Sequence, residues 1–358
     1  MIRTGGFGEL LERLPPSFDL EQTAREYNAF CRAREVRSAA DLLRLALLYG
    51  SCGLSLSGVA TLAETEAIAQ LSNVAVMKRL QGAAPWLERL AEAILAERTP
   101  QPLTVLKRPL RLIDGTTLSA PGRNRPDWRF HLVFDVGSRR LDGFTLTPAS
   151  SGESLTRVPI REGDLVMTDR GFVRPDDLRC VRDAGADFLA RLGSRQLRLL
   201  DRNGERFDIS SALHQSTRHG LFDQPVQIAH GRKAKFQLIA ARLIVMPLSP
   251  EAAAKAQQRL RRAAQREVYS LSPTALKAAE HLILITSVAP NILNATQVAD
   301  LYRLRWQIEL AIKRLKSLAE LRGLPAKNPE LARTWIAANL ITALIAEDLA
   351  IEVLDSPP

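Results

Sequence analysis

Cysteine is scarce in this 358-residue chain: Cys31, Cys52 and Cys180 lie far apart with no paired spacing. That excludes a disulfide scaffold and a thiolate zinc site. Histidine is scarce too, and none of the five residues stands at metal-ligand spacing with Cys or another His. No apolar run of membrane-spanning length and no basic-then-apolar leader is read, so no membrane partner is expected and the cytoplasm is the expected location. An apolar fraction of 46% is ordinary for a globular protein, and the length suits two or three domains.

What the chain has is positive charge. Lys and Arg total 49 against 39 acids, a net charge of +10 with a pI near 9.9. Arg supplies most of it, and a planar guanidinium fork suits phosphate. Nucleic acid is the partner such a balance favours, through counterion release; a basic protein without that partner is the alternative.

Hydrophobic spacing divides the chain. "SAADLLRLALLYG" and "WLERLAEAILAER" carry apolar residues three and four apart and read as helices. Between them, one helix is expected to end near Leu71, with Ser72 or Asn73 capping a second that carries Lys78 and Arg79. That pair resembles a helix-turn-helix whose second helix enters a DNA groove, although helical bundles contain such pairs for packing alone. Pro100 and Pro102 then break the helical period. "RPLRLIDGTTLS", "WRFHLVFDV" and "LDGFTLTPAS" read as a strand meander, followed by strand "DLVMTDRGF", helix "RPDDLRCVRDAG" and strand "DFLARLG". From about Ser194 to Met246 the chain reads as polar and β-like, with Asn203-Gly204 as a hairpin turn. A basic helix with Lys255, Arg259, Arg261, Arg262 and Arg266 follows, then strand "HLILITSV", then helix to the end. The expected domains are helices over 1–104, an α/β core over 105–193, a β-rich insertion over 194–280 and the rest of the core over 281–358.

Two acids end apolar strands: Asp114 in "RLIDGTT" and Asp169 in "DLVMTDRGF". Each alone could simply form a turn. On neighbouring strands they could share divalent cations, which favour oxygen ligands. A third acid comes from "YRLRWQIELAIKRLKS". With Tyr302 at 0° and about 100° per residue, Arg305 falls near 300°, Glu309 near 340° and Lys316 near 320°. Leu301, Leu304, Ile308, Ile312 and Leu315 occupy the adjacent arc, and Trp306 reads as buried. An acid bordering a row of cations suits a metal ligand beside a phosphate track; an intrahelical salt-bridge face suits the same pattern.

Tyr302, Arg305, Glu309 and Lys316 fit Y-x2-R-x3-E-x6-K, a match expected in on the order of one in a thousand chains of this length. This resembles the signature of bacterial insertion-sequence transposases of the DDE type. "IDGTT" looks like their first acidic motif, "DWRFHLVFDV" like their second strand, and "GESLTRVPIREGDLVMTDRGF" like their second acidic motif. "SNVAVMKRLQGAAPWL" is similar to their N-terminal segment, so the resemblance spans roughly residues 50 to 340.

The resemblance implies an α/β fold with a ribonuclease H-like core, a β-rich insertion between the second and third acids, and an all-α N-terminal DNA-binding domain. It implies Asp114, Asp169 and Glu309 as a triad holding two Mg²⁺ ions (or Mn²⁺), roughly 4 Å apart. Tyr302, Arg305 and Lys316 would hold double-stranded transposon-end DNA, with Lys313 beside them and Lys78 and Arg79 on the N-terminal helices. A homodimer is implied in the synaptic complex, together with terminal-repeat cleavage and joining of 3′ ends to target DNA. The sequence departs from better-known members at one point. The insertion lacks their base-stacking Trp and offers only Phe207, Phe222, Phe236 and Tyr269 in or beside it. The rival functions are a stand-alone metal-dependent nuclease and a catalytically silent DNA-binding repressor. Tyr302 as a recombinase nucleophile is rejected, because no His follows in the chain to build the Arg/His cluster that such a Tyr needs.

Overall fold

The computed structural model describes residues 6–103, 106–122, 125–194, 196–231, 237–318 and 323–355. The chain starts with α1 (Gly6–Glu12), α2 (Leu20–Glu26), α3 (Ala39–Tyr49), α4 (Leu56–Thr65) and α5 (Asn73–Ala96). Ser38 and Asp41 close a capping box on α3, and the Ser72 hydroxyl accepts from the Ala75 N–H to start α5. Two details differ from the sequence expectation. Helix α4 stops at Thr65, well before Leu71, and the chain turns at Ala67 with φ 54°. Helix α5 runs unbroken through Pro85, because Trp86, Leu87 and Leu90 are fully buried and their packing outweighs the lost backbone bond.

Short β1 (Pro102–Leu103) leads into the meander β2 (Arg108–Leu118), β3 (Trp128–Asp135) and β4 (Arg140–Pro148). β5 (Leu165–Thr168), α6 (Pro175–Asp183) and β6 (Asp187–Arg191) follow as a crossover unit. β2–β3 and β3–β4 pair antiparallel, whereas β2–β5 and β5–β6 pair parallel. The resulting order β4-β3-β2-β5-β6 is that of a ribonuclease H-like sheet, the core that the resemblance implies. The chain continues through β7 (Leu199–Leu200), α7 (Ile209–His219), β8 (Phe222–His230), β9 (Gln237–Pro247), α8 (Pro250–Glu267), α9 (Pro273–Ala279) and β10 (His281–Thr286). β10 pairs antiparallel with both β6 and β9, so the same sheet extends through β9, β8 and β7.

Helix α7 falls in a stretch that reads as β in the sequence. Asp208 caps its start, and Gly220, left-handed at φ 75°, ends it. The Asn203-Gly204 turn forms, with Gly204 at φ 80°, but its second arm makes only the isolated bridge Leu200↔Arg206 before the helix begins. Phe207 and Phe222 pack against each other at 6.0 Å between ring centroids, Tyr269 is exposed, and Phe236 lies outside the described residues.

The chain ends with α10 (Ala295–Tyr302), a 3-10 turn over Arg303–Arg305, α11 (Trp306–Leu318) and α12 (Pro329–Asp355). The tightened turn replaces the continuous helix expected here and advances the chain faster than an α-helix does. Tyr302 is buried at the end of α10, and Trp306, expected to be buried, is 52% exposed. Helix α12 also corrects an expectation. Residues Pro329–Glu352 are long and apolar enough to cross a membrane by length and composition, with 56% of the window buried. Here that apolar surface packs against α5 and α3.

Strand alternation fixes where the acids point. Leu110 and Leu112 of β2, with Leu165 and Met167 of β5, face the core shared with α3, α5, α10, α11 and α12. Ile113 and Val166 face the opposite core, which holds α6 and α7. Side chains two apart share a face, so Asp114 and Asp169 lie on the α11 side of the sheet.

Candidate active site

β2 and β5 run parallel in the register Leu112↔Met167 and Ile113↔Thr168. One further step brings Asp114 beside Asp169 at adjacent strand ends. The Thr168 hydroxyl donates to the Ile113 carbonyl at 3.1 Å and ties the two ends together. Each acid accepts from the following backbone N–H: Asp114 Oδ1 from Gly115 at 2.7 Å, and Asp169 Oδ1 from Arg170 at 2.6 Å. Behind them, the fully buried Arg111 anchors β2. It ion-pairs with Asp142 at 2.6 Å and Asp164 at 2.8 Å and donates to the Pro159 carbonyl at 2.7 Å.

Burial pushes the Asp114 carboxyl up to about 6. The Gly115 N–H and the Arg305 charge oppose that rise, while the charges of Asp169 and Glu153 add to it. Carboxylates gathered in a half-buried cleft repel one another and resist full ionisation unless a cation joins them. Arg305 is the cation whose charge opposes the rise at Asp114. Helix α11 and the turn before it lie over β2 and β3, and the Arg305 guanidinium acts on Asp114, Asp169 and Glu309. Glu309 accepts from Arg305 Nη2 at 2.5 Å, one turn away, and its side chain is 45% exposed.

Among the described residues, no three His, Cys, Asp or Glu side chains are grouped closely enough to hold a metal ion. The structure thus brings Asp114 and Asp169 together and joins Glu309 to them through Arg305. Oxygen donors on paired strand ends fit a hard divalent cation.

Tyr302 is buried, and its hydroxyl has no hydrogen-bond partner among the described residues. Burial first, then the Asp169 charge, pushes its ionisation upward, while Arg305, Arg191 and Arg170 pull the other way. The hydroxyl is therefore a neutral donor near the acids. Lys313 is exposed and Lys316 half-buried on α11, while Lys78 is exposed and Arg79 half-buried on α5. A cavity of about 490 Å³ opens beside Asp169, and Arg170, Arg191 and Arg259 are among its lining residues.

Sequence reasoning missed several of these residues. Arg170 and Arg191 carried no signal beyond the overall Arg content, since their convergence depends on the β5–β6 pairing. Glu153 and Arg129 stand inside the motif text "GES" and "DWRFH", and their ion pair at 2.6 Å shows only in three dimensions.

Residues 106–345 match the family model described as a transposase DDE domain. The chain belongs to the DDE transposase family. It is 41% identical over 342 residues to "Putative transposase InsL for insertion sequence element IS186A" of Escherichia coli (strain K12), covering 95% of this chain and 92% of the relative. It is 40% identical over 343 residues to the transposase for insertion sequence element IS421 of Escherichia coli, with the same coverage. A more distant relative is the transposase for insertion sequence element IS231E of Bacillus thuringiensis subsp. finitimus. That one is 22% identical over 357 residues, covering 87% of this chain and 73% of the relative. Membership makes the chain a DDE-type DNA transposase, an enzyme that acts on DNA and depends on divalent metal. Acting on DNA places it in the bacterial cytoplasm.

Proposed function

We propose that this DDE transposase binds the terminal inverted repeats of its own insertion sequence, cleaves the strands there and joins the 3′ ends to target DNA. Asp114, Asp169 and Glu309 are the residues that would hold two Mg²⁺ ions, with Mn²⁺ as a substitute. Ions bound there supply Lewis-acid stabilisation of the phosphoryl oxygens and lower the pKa of a bound water. The observation that carries this assignment is the strand-end pair Asp114 and Asp169, on one face of the sheet and linked to Glu309 by Arg305.

The chain's own residues then have distinct tasks. Asp114 and Asp169 stay fixed by the strand register and by their backbone N–H donors. Glu309 turns from Arg305 to complete the acidic set, which frees the guanidinium for a bidentate pair with a DNA phosphate. The unpartnered Tyr302 hydroxyl donates to a phosphate oxygen beside it. Lys313 and Lys316 continue the cationic row along α11, and Arg170 and Arg191 extend it past Asp169. Helices of residues 1–104, with Lys78 and Arg79, read the repeat, residues 194–280 form the insertion, and two copies of the chain pair the two ends on the nucleoid.

The test is a gel shift and a strand-cleavage assay on the same terminal-repeat DNA, in Mg²⁺ and in Ca²⁺. Asp114→Asn and Asp169→Asn are expected to bind that DNA and leave it uncut. Wild-type protein that nicks the ends without joining them would be a nuclease, and protein that binds without cutting in either ion would be a repressor.

A further inference from the structure

Glu153 is an acid that the triad does not use, and it stands against both strand ends. A methyl group built on Gly115 would lie 3.0 Å from Glu153 Oε1, and one built on Gly171 would lie 1.9 Å from Glu153 Oε2. Neither glycine has a positive φ, so left-handed backbone freedom is not what these positions require. Glycine serves here by letting a side chain approach the backbone closely. Gly115 follows Asp114 and Gly171 is two residues past Asp169, so one carboxylate touches both acid-bearing turns.

Glu153 is held at its carboxylate by Arg129 and through the neighbouring residues on either side. Arg129 Nη1 donates to Glu153 Oε1 at 2.6 Å, and Arg129 sits on β3 between Thr117 of β2 and Thr147 of β4. On the main-chain side, Asp177 at the start of α6 accepts from the Ser154 hydroxyl at 2.5 Å and from the Leu155 N–H at 2.8 Å. Arg157 Nη1 donates to the Gly152 carbonyl at 2.9 Å. Swinging the carboxylate out breaks the Arg129 bond, while the chain before and after Glu153 stays tied down.

We infer that Glu153 is a positioning residue for strand cleavage: wedged between Gly115 and Gly171 and anchored by Arg129, it sets the separation of Asp114 and Asp169. This inference rests on the assignment of those two acids as metal ligands. A wedge acts through shape and hydrogen bonding, not through its own bond to the metal. Glutamine therefore replaces it, and alanine does not.

The experiment is Mn²⁺ titration by calorimetry on the full chain without DNA, beside Mg²⁺-dependent cleavage of terminal-repeat DNA. Glu153→Ala is expected to weaken Mn²⁺ binding by about 10- to 100-fold, the range seen when partners of metal ligands are removed. Gly171→Ala leaves every acid in place but drives its new methyl into Glu153, and a loss in the same range is expected. The double variant should be no worse than Glu153→Ala alone, because both changes remove one wedge. Glu153→Gln should bind Mn²⁺ and cleave within about threefold of the parent, as its carbonyl still accepts from Arg129. If Glu153→Ala does not fold, Gly171→Ala and Glu153→Gln carry the test. Parent-like Mn²⁺ affinity in the folded Glu153→Ala or in Gly171→Ala overturns the inference. So does a Glu153→Gln variant in which binding is weakened 10-fold or more, which would make the residue a ligand. Asp114→Asn separates the two levels: if it keeps parent affinity the metal assignment itself fails, and if it loses affinity while Glu153→Ala does not, only the wedge fails.

Discussion

Arg305 and Glu309 form an ion pair of 2.5 Å across one helical turn, and the same guanidinium acts on Asp114 and Asp169. One cation thus acts on all three acids. In the triad proposed above, Glu309 would have to exchange partners before the acidic set is complete. Arg305 would then be an unpaired cation, and a DNA phosphate is the partner proposed for it.

Glu309→Gln separates chemistry from binding. The amide keeps the size of the side chain but removes the charge that a divalent ion requires. Cleavage of terminal-repeat DNA is expected to fall by at least about a hundredfold, since ligand loss at a two-metal centre costs several kcal/mol of barrier. Gel-shift affinity should hold or rise, because Arg305 is released toward phosphate and a negative charge has gone. A variant that cleaves like the parent would reduce the Arg305–Glu309 pair to a structural salt bridge.

Asp114 gives the metal-free protein a pH signature. Its folded value of about 6 lies above the ordinary 3.8, so the folded state holds its proton more tightly than the unfolded chain does. The stability linked to that proton is fully present below about 3.8 and is lost as pH rises through about 6. Relative to Asp114→Asn, which stays neutral throughout, the parent should lose up to about 3 kcal/mol between these limits and then level off. Urea titrations of both proteins from pH 4 to 8 in EDTA measure this difference. Identical pH profiles would show that Asp114 is not desolvated.

The arrangement around Asp114 was legible in the sequence because strand alternation and strand ends are local signals. The apolar runs before Asp114 and Asp169 define β2 and β5, and parity then puts both acids on one face. Helix α7 was not legible, since its residues "ISSALHQSTRH" are polar and its start and stop depend on Asp208 and Gly220. The exposure of Trp306 was also missed. A single 3-10 turn at Arg303–Arg305 rotates the following helix, and nothing in side-chain period marks it. Glu153 was invisible for a different reason: its role depends on the absence of a methyl group at Gly115 and Gly171, which only close approach in space reveals.

Arg111 is expected to be indispensable for folding and irrelevant to DNA affinity per se. It is 1% exposed and neutralises both Asp142 and Asp164, which are themselves nearly inaccessible. Arg111→Met fills similar volume yet leaves two buried carboxylates with less compensation. Asp142 keeps Arg161 as a partner at 2.7 Å, so the full loss falls on Asp164. Removing one partner of a buried ion pair costs about 3–5 kcal/mol. Chemical denaturation should show that loss. A change under about 1 kcal/mol would mean that Asp164 is reached by solvent in the variant.

Lys316 and Arg305 test whether the face of α11 tracks a DNA backbone. Lys316 is half-buried on the same helix as Glu309, and its charge is not among those acting on Asp114. Lys316→Ala should therefore leave Mn²⁺ binding unchanged while weakening the grip on terminal-repeat DNA. Each phosphate neutralised on duplex DNA contributes about −0.9 to the slope of log affinity against log salt, so the slope should become shallower by about one. Arg305→Lys keeps the charge, so its slope should stay close to that of the parent. Its affinity should still fall, because an ammonium cannot form a two-point pair with phosphate. The contrast is diagnostic: loss of charge at Lys316 changes the salt dependence, and loss of geometry at Arg305 changes affinity at every salt concentration. Gel shifts of the three proteins at 50, 100 and 200 mM salt would measure it. Parallel lines of equal height for all three would remove α11 from the DNA interface.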